Sequence, residues 1–490
     1  MIPVTVREVA ELLGADVVRA VEAPDALDRT VAGLAVDSRQ VGDGTLFLAL
    51  PGEHVDGHDY VTAALGRGAA AALTARPVAG APGPCLVVAD PLVAAGRLAR
   101  DQVDRGAAAG LRVAAITGSA GKTSTKDLLA QVLELDGPTV APVGNLNNEL
   151  GLPLTVARIT PDTRYLVAEM GARGVGHVAY LCTIAPPQVA TVLNVGSAHV
   201  GEFGSQQLIA VAKGEIVEAL PAEGTAVLTT DDPLVWAMRE RTAARLLATS
   251  VRAEPAGSDA VWAGDVVADA FGCCAFTLHE KRDGVAAAPV RVQLGVSGRH
   301  QVANAVAAAA LARALGVPAD TVVRGLAGAR PRSRWRMELG RRADGTLVVN
   351  DAYNANPESM RAALDTVAGM LADRPGAVGW AVLGDMLELG GTADAEHRSL
   401  GVYAADHGLS RVIALGEFAE AVVAGAEHAG TAVRAEVAGD RDDAVRRVLA
   451  GVAPGDVILV KASRGLALDT VAAALVAADP VGPDDEQGEG

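Results

Sequence analysis

Apolar residues along this chain gather in short runs rich in Val, Ile, Leu and Ala, separated by longer stretches whose apolar positions recur at helical spacing. Short apolar runs bounded by turn residues predict strands, and the longer stretches predict helices. In the first region, to about residue 108, strands are expected at 45–50 and 85–89, alternating with short helices. Residues 106–110, Gly-Ala-Ala-Ala-Gly, look like a linker. From about 111 to 327, runs at 113–116, 165–168, 189–193 and 226–228 alternate with helical segments, the pattern of a parallel sheet with crossover helices. An Ala-rich helix is expected over 302–315, stopped by Gly316 with Pro318 just beyond. The Arg-rich stretch 328–334 marks a second boundary. A third α/β unit follows, with strands near Val348, 381–383, 412–415 and 457–460. The chain is therefore an α/β protein of three expected domains: a small one over 1–108, a central one over 111–327 and a third over 331–478. The acidic, Pro/Gly-rich end, 479–490, is expected to be disordered.

Composition narrows this picture. A chain of 490 residues is too long for one ordinary core. Half the residues are apolar but only 3% are aromatic, so Ala, Val and Leu must fill the interior. A net charge of −17 argues against a nucleic-acid footprint, which would need a basic stripe, while leaving room for local anion sites. The four cysteines, Cys85, Cys182, Cys273 and Cys274, show no metal-ligand spacing, and the adjacent pair is poorly placed for a structural disulfide. A reducing, cytoplasmic compartment is expected. The first residues do not resemble a signal peptide, and no charge-free apolar run reaches the ~18 residues of a membrane span.

The densest chemistry lies at 113–126, Val-Ala-Ala-Ile-Thr-Gly-Ser-Ala-Gly-Lys-Thr-Ser-Thr-Lys. An apolar strand enters a small-residue turn and leaves as a helix carrying Leu128, Leu129, Val132 and Leu133. Such a turn holds polyphosphate. Glycines let the backbone approach, N–H groups and the helix N-terminus point at the anion, and a lysine reaches the terminal phosphates. Gly118, Ser119, Ala120, Gly121, Lys122, Thr123 and Ser124 are the expected nucleotide contacts, with Thr123 placed to meet magnesium. The usual spacing is GxxxxGK[ST], and Ile116 stands where its first glycine belongs.

Only five of the 42 basic residues are lysines: Lys122, Lys126, Lys213, Lys281 and Lys461. Arg is always charged, whereas Lys can serve as a point charge or as a neutral amine. Further polar clusters adjoin strand ends, where open α/β sheets bind ligands. They are the amide-rich loop 144–153, Glu169-Met-Gly171, and 194–199, which ends in His199. A helical segment holds Lys213. Singly, Glu169 reads equally as a solvated strand end, His199 as a loop histidine and Lys213 as a surface lysine. Their succession after a phosphate loop favours the functional reading.

In that order the motifs resemble those of the Mur ligases of peptidoglycan synthesis, over nearly the whole chain. The matching segments are Asp37-Ser-Arg39 with 52–58; Thr117-Gly-Ser-Ala-Gly-Lys-Thr123; 144–153; Glu169-Met-Gly171; His199; Lys213; 350–357, Asn-Asp-Ala-Tyr-Asn-Ala-Asn-Pro; 384–390; and Lys461-Ala-Ser-Arg-Gly465. The family's shortened phosphate loop, GxxGKT, accounts for Ile116. The resemblance implies a P-loop-type central ATPase domain and a Rossmann-like third domain. It is strongest to the branch that joins D-alanyl-D-alanine to UDP-N-acetylmuramoyl-tripeptide (UDP-MurNAc-tripeptide), with ATP as phosphoryl donor and two Mg2+ ions.

The resemblance also implies roles. Lys122, Glu169, His199 and Lys213 form the catalytic set. Thr123 and Glu169 hold one magnesium. His199 and Lys213 serve the second, Lys213 as a carbamylated lysine. His300 and Asn304 lie on the adenine side, with Gln301 where the family usually has Asn. Arg336 and Asp351 reach phosphates and ribose from the third domain. Ser38 and Arg39 match the uridine-diphosphate site, and Asn145, Asn147, Asn148, Asn354 and Asn356 match substrate-facing amides. A monomer is expected, closing at a hinge near 330–334. The segment 385–388 reads alternatively as a helix start. The alternatives in function are a sibling ligase adding a diamino acid and an ATP-regulated binding protein. The sibling's Asp-Asn-Pro-Arg signature is absent from the third region.

Overall fold

The computed structural model describes residues 1–18, 25–52, 55–196, 200–429 and 433–478. His199 and the tail 479–490, two subjects of the sequence reading, lie outside them.

The described residues build three sheets of five or more strands. The first has the order Asp16–Val18, Cys85–Val87, Ala71–Thr74, Thr45–Leu48, Gly33–Ala35, parallel except at its Asp16–Val18 edge. Helix Pro91–Ala108 leaves this sheet. It starts where Asp90 accepts the N–H groups of Leu92 and Val93 and proline fills the first helical position. The linker expected at 106–110 is a correction, because the helix continues to Ala108. Gly106 is needed there for packing, since a Cβ would lie 2.8 Å from Leu111 Cδ2. Gly110, at φ +100°, makes the actual exit.

The ten-stranded central sheet runs parallel from Thr139–Val140 through Tyr165–Glu169, Arg112–Thr117, Val189–Val192, Thr225–Thr229 and Arg245–Ser250 to Ala260–Ala268. Helices His177–Ile184 and Gln206–Glu218 cover one face, and Lys122–Glu134, His300–Ala314 and Ala319–Gly328 cover the other. The Ala-rich helix is buried nearly all round, because small side chains let it sit close to Lys122–Glu134. The strand–helix alternation expected to 327 fails over 260–297. There Ala260–Ala268, Cys273–Arg282, Val285–Ala286 and Val290–Ser297 form an antiparallel ribbon. Asp283 and Gly284, at φ +49° and +79°, make its two-residue turn, a conformation that Asp-Gly favours.

The third sheet has the order Glu338–Arg341, Leu347–Asn350, Val457–Lys461, Gly379–Gly384, Arg411–Leu415, Arg434–Val437, parallel except at the first edge, with apolar clusters on both faces. On one face helices Ala393–Asp406 and Ala419–Ala429 pack backbone to backbone. A Cβ on Gly401 would lie 2.0 Å from the Val422 carbonyl oxygen, and one on Gly425 2.0 Å from that of Arg398. Gly401→Ala is therefore expected to destabilise the protein by about 3 kcal/mol, since backbone cannot move aside as a side chain can. A thermal unfolding midpoint equal to the wild type's would contradict this.

Candidate active site

The C-terminal ends of the central and third sheets face a common cleft of about 760 Å³. Glu169 and Lys461 end strands, Asp351 follows one, and the phosphate loop follows Arg112–Thr117. All the lining residues come from the central and third units.

The phosphate loop is held from behind. Asn194 Nδ2 donates to Ala120 O (3.1 Å) and its Oδ1 accepts from Ala120 N (2.8 Å), while Ser119 Oγ accepts from Gly196 N (2.9 Å). Gly121 takes φ +83°, and a Cβ there would lie 2.5 Å from Asn304 Oδ1. The helix that follows has no side-chain cap, so its first N–H groups and dipole face the cleft without a protein acceptor from a cap. Lys122 Nζ folds back to Gly118 O (2.7 Å). Burial pulls the Lys122 pKa down; Glu169 opposes this and Arg336 adds to it.

Glu169 is almost fully buried. Its Oε1 accepts from Asn147 Nδ2 (2.8 Å) and Thr123 Oγ1 (3.3 Å). Its Oε2 is buried without a hydrogen-bond partner among the described residues. An unsatisfied carboxylate oxygen beside a P-loop threonine is a hard oxygen donor waiting for a cation, so the residues fit magnesium. Among the described residues no group of three His, Cys, Asp or Glu could hold a metal alone. A Mg2+ ion here would draw its remaining ligands from substrate phosphates and water, as is usual for that ion.

Lys213, on helix Gln206–Glu218, is 2% exposed and lines the same cleft. Burial, and then the neighbouring charge of Lys122, hold its pKa well below the usual lysine value. Two residues on, Glu215 accepts the N–H groups of Gly176 (2.6 Å) and Ala179 (2.9 Å), joining this helix to His177–Ile184.

His300 stands at the start of its helix with Nδ1 buried and unpartnered among the described residues, and burial lowers its pKa. Asn304 donates to Gln301 Oε1 (2.9 Å) and accepts from Thr125 Oγ1 (3.2 Å). Gln301 thus supports Asn304. From the third unit, Asp351 accepts from Met337 N (3.0 Å) and pairs with the buried Lys461. Lys461 also donates to Asn354 O (3.0 Å). Arg336 lies 4.3 Å from the centre of the Tyr353 ring. Asn356 caps helix Pro357–Ala372 and reaches Ser119 O at 3.5 Å, tying the third unit to the phosphate loop.

The cleft thus brings together residues 119–124, Glu169, Lys213, His300, Asn304, Arg336, Asp351, Asn145, Asn147, Asn148, Asn354 and Asn356. Gly118 lies just behind it. Ser38 and Arg39 stand apart on the first unit, where an exposed Arg39 pairs with Asp37 and holds that carboxyl at about 2. Segment 385–388 is a loop rather than a helix start. Asp385 accepts the N–H groups of Glu417 (2.9 Å) and Phe418 (3.0 Å). Sequence reasoning missed Tyr353, Glu388 and Arg464 as lining residues, although each lay in a quoted motif. It also missed Arg173, His177 and Tyr180, which no motif signalled.

A P-loop facing basic and acidic side chains of a second α/β unit defines an ATP-using enzyme that assembles its site between domains. Family models match residues 30–112 (Mur ligase family, catalytic domain), 116–312 (Mur ligase middle domain) and 335–464 (Mur ligase, glutamate ligase domain). The chain belongs to the Mur ligase family. UDP-N-acetylmuramoyl-tripeptide–D-alanyl-D-alanine ligase of Mycobacterium tuberculosis is 45% identical over 98% of this chain and 99% of its own. The ligase of the same description from Escherichia coli is 35% identical over 97% and 99%. Among solved structures, MurF from Acinetobacter baumannii superposes with a TM-score of 0.84 at 31% identity over 97% and 99%. MurF ligase from Thermotoga maritima in complex with ADP gives 0.76 at 28% identity over 92% and 98%. No helix among the described residues is long and apolar enough to cross a membrane.

Proposed function

We propose that this chain is an ATP-dependent amide ligase. It joins D-alanyl-D-alanine to UDP-MurNAc-tripeptide and releases ADP and phosphate. The observation that carries the reading is a single cleft in which an uncapped P-loop helix, Lys122 and the unsatisfied Glu169 oxygen face Arg336 and Asp351 from another unit. Relatives at 45% and 35% identity, named for this reaction, support it.

The terminal carboxylate of the tripeptide attacks the γ-phosphorus of ATP, and the bond to the bridging oxygen breaks to leave ADP. The dipeptide amine then attacks the acyl carbon, phosphate departs with the electron pair, and the amine loses a proton. Phosphoryl transfer needs positioning and charge neutralisation above all. Lys122 from the central unit and Arg336 from the chain entering the third supply positive charge. Asp351, held by Lys461, accepts from ribose, and His300 and Asn304 border the adenine. Thr123 and Glu169 would hold one Mg2+, and His199 with Lys213 a second. When bound, these ions neutralise phosphate charge. Lys213 carries a carbamate, made as its neutral amine bonds to CO2 and releases a proton. Asn145, Asn147, Asn148, Asn354 and Asn356 face the peptide substrates, and Ser38 and Arg39 the uridine diphosphate. In this reading residues 1–108, 111–327 and 331–478 are the nucleotide-substrate, ATPase and ligase domains. In this reading the chain acts as a monomer, and ATP and a uridine-diphosphate substrate suit a cytoplasmic location.

The test is ADP release with ATP and Mg2+, supplying both peptide substrates and then omitting each. Release only with both, and a product heavier by one dipeptide less water, is the expected result. Release with UDP-MurNAc-dipeptide and a diamino acid would assign the sibling reaction. ATP binding without release under either regime would reject catalysis.

A further inference from the structure

Lys126 is one of the five lysines, and the proposed chemistry does not use it. It is 2% exposed, pairs with Asp127, and donates to Pro142 O (3.0 Å), at the entry to the amide-rich loop. Asp127 accepts the N–H of Ser333 through its other oxygen (3.1 Å). One turn on, the Gln131 amide exchanges two 3.0 Å hydrogen bonds with the backbone of Arg330. A further turn on, Glu134 takes both terminal nitrogens of Arg332 (2.6 and 2.5 Å). Positions 127, 131 and 134 share one helix face. That face belongs to the P-loop helix, and the partner is the chain leading from the central unit to the third.

Residues 330–333, where a hinge was expected, are therefore strapped to the helix. Just beyond, the chain is held to the third unit: Trp335 O accepts from Tyr353 N (3.2 Å) and Met337 N donates to Asp351 (3.0 Å). Trp335 and Met337 adopt φ +59° and +51°, a region non-glycine residues rarely enter. Arg336 stands between them, and its guanidinium reaches the cleft.

We propose that Asp127, anchored by Lys126, together with Gln131 and Glu134, are positioning residues for Arg336. The strap makes the linker a rigid extension of the P-loop helix, so the guanidinium is placed relative to the phosphates that Lys122, one turn earlier, holds. This rests on the reading of the cleft as the ATP site.

The test starts from the exposed half of the strap, whose removal leaves the buried pair intact. Gln131→Ala with Glu134→Ala is expected to lower kcat roughly tenfold, since ångström-scale misplacement of a reacting-site group costs about this or more. The KM for UDP-MurNAc-tripeptide should stay unchanged. Asp127→Asn should do the same. In an Arg336→Lys background the added loss should vanish, because the strap acts through that residue. Unchanged kcat, or an equal loss in both backgrounds, would overturn the proposal. A second measurement joins Gln131→Cys to Arg330→Cys with a short bismethanethiosulfonate in a Cys273→Ser background. The locked enzyme should keep its turnover. Loss of turnover that reduction reverses would show that the strap opens in the cycle and would equally overturn the proposal. Wild-type turnover in the same assay separates the two readings. Its absence rejects the ligase reading and this inference with it, whereas its presence with a strap-insensitive kcat rejects this inference alone.

Discussion

Glu169→Gln is expected to lower kcat about 1,000-fold while leaving the fold intact. The substitution keeps the length and shape of the side chain. Its carbonyl oxygen can still accept from Asn147 and Thr123, the two contacts that hold Oε1. What changes is the second oxygen, buried and unsatisfied, which becomes an amide donor aimed into the cleft. A cation site then loses both a ligand and a charge. Some 4 kcal/mol of lost transition-state stabilisation corresponds to that factor, and a metal ion's neutralisation of phosphoryl charge is of that size. The loss should not yield to excess UDP-MurNAc-tripeptide, because the substituted atom lies at the phosphate end of the cleft. The thermal midpoint should shift little, since the hydrogen bonds from Asn147 and Thr123 are kept. The decisive data are ADP release against Mg2+ concentration and an unfolding curve. Activity within tenfold of wild type at saturating Mg2+ would reject Glu169 as a ligand.

The sheets and the phosphate side of the site were legible because they are local. Runs such as Tyr165–Glu169 and Val457–Lys461 are buried on both faces and carry continuous apolar sequence. The P-loop is a contiguous backbone device. The antiparallel ribbon was missed although Asp283-Gly284 is a strong local turn signal, because its strands sit among segments that otherwise alternate with helices. The supports were illegible for a different reason. His397 accepts from Met386 N through Nε2 (2.9 Å) and donates from Nδ1 to Ala393 O (2.7 Å), setting the loop that carries Glu388 to the cleft. Nothing in the neighbouring sequence distinguishes it from a surface helix histidine. The Arg332–Glu134 pair spans 198 positions, and its existence depends on how the linker lies along the P-loop helix. Arg336 was found through family resemblance, because the backbone turn that presents it is made by Trp and Met, where a sequence reader looks for glycine.

Lys213→Ala is expected to reduce turnover by three orders of magnitude or more, and millimolar formate or acetate should restore part of it. The argument begins with residue type. A chain that uses arginine almost everywhere keeps lysine at a buried position in the cleft, beside a second lysine. Burial first, and then the charge of Lys122, disfavour the ammonium form of Lys213. The lowered pKa of Lys213 gives the direction. Below the folded-state pKa the amine is protonated and inert toward CO2. Above it the amine is neutral, and depression of the pKa extends that window downward from the ordinary lysine range. In the proposed reading, carbamylation would convert that amine into an anion facing Lys122 and supply an oxygen ligand. Arginine has no neutral amine to offer, so Lys213→Arg should be as inactive as Lys213→Ala, and carboxylates should not rescue it because its side chain fills the space they need. A readout independent of turnover is 13C NMR after equilibration with labelled bicarbonate. The wild type should show a carbamate signal that Lys213→Ala lacks and that fades as pH falls. Absence of that signal in active wild-type enzyme would reject the modification, and failure of every short carboxylate to rescue Lys213→Ala would reject the oxygen-ligand role.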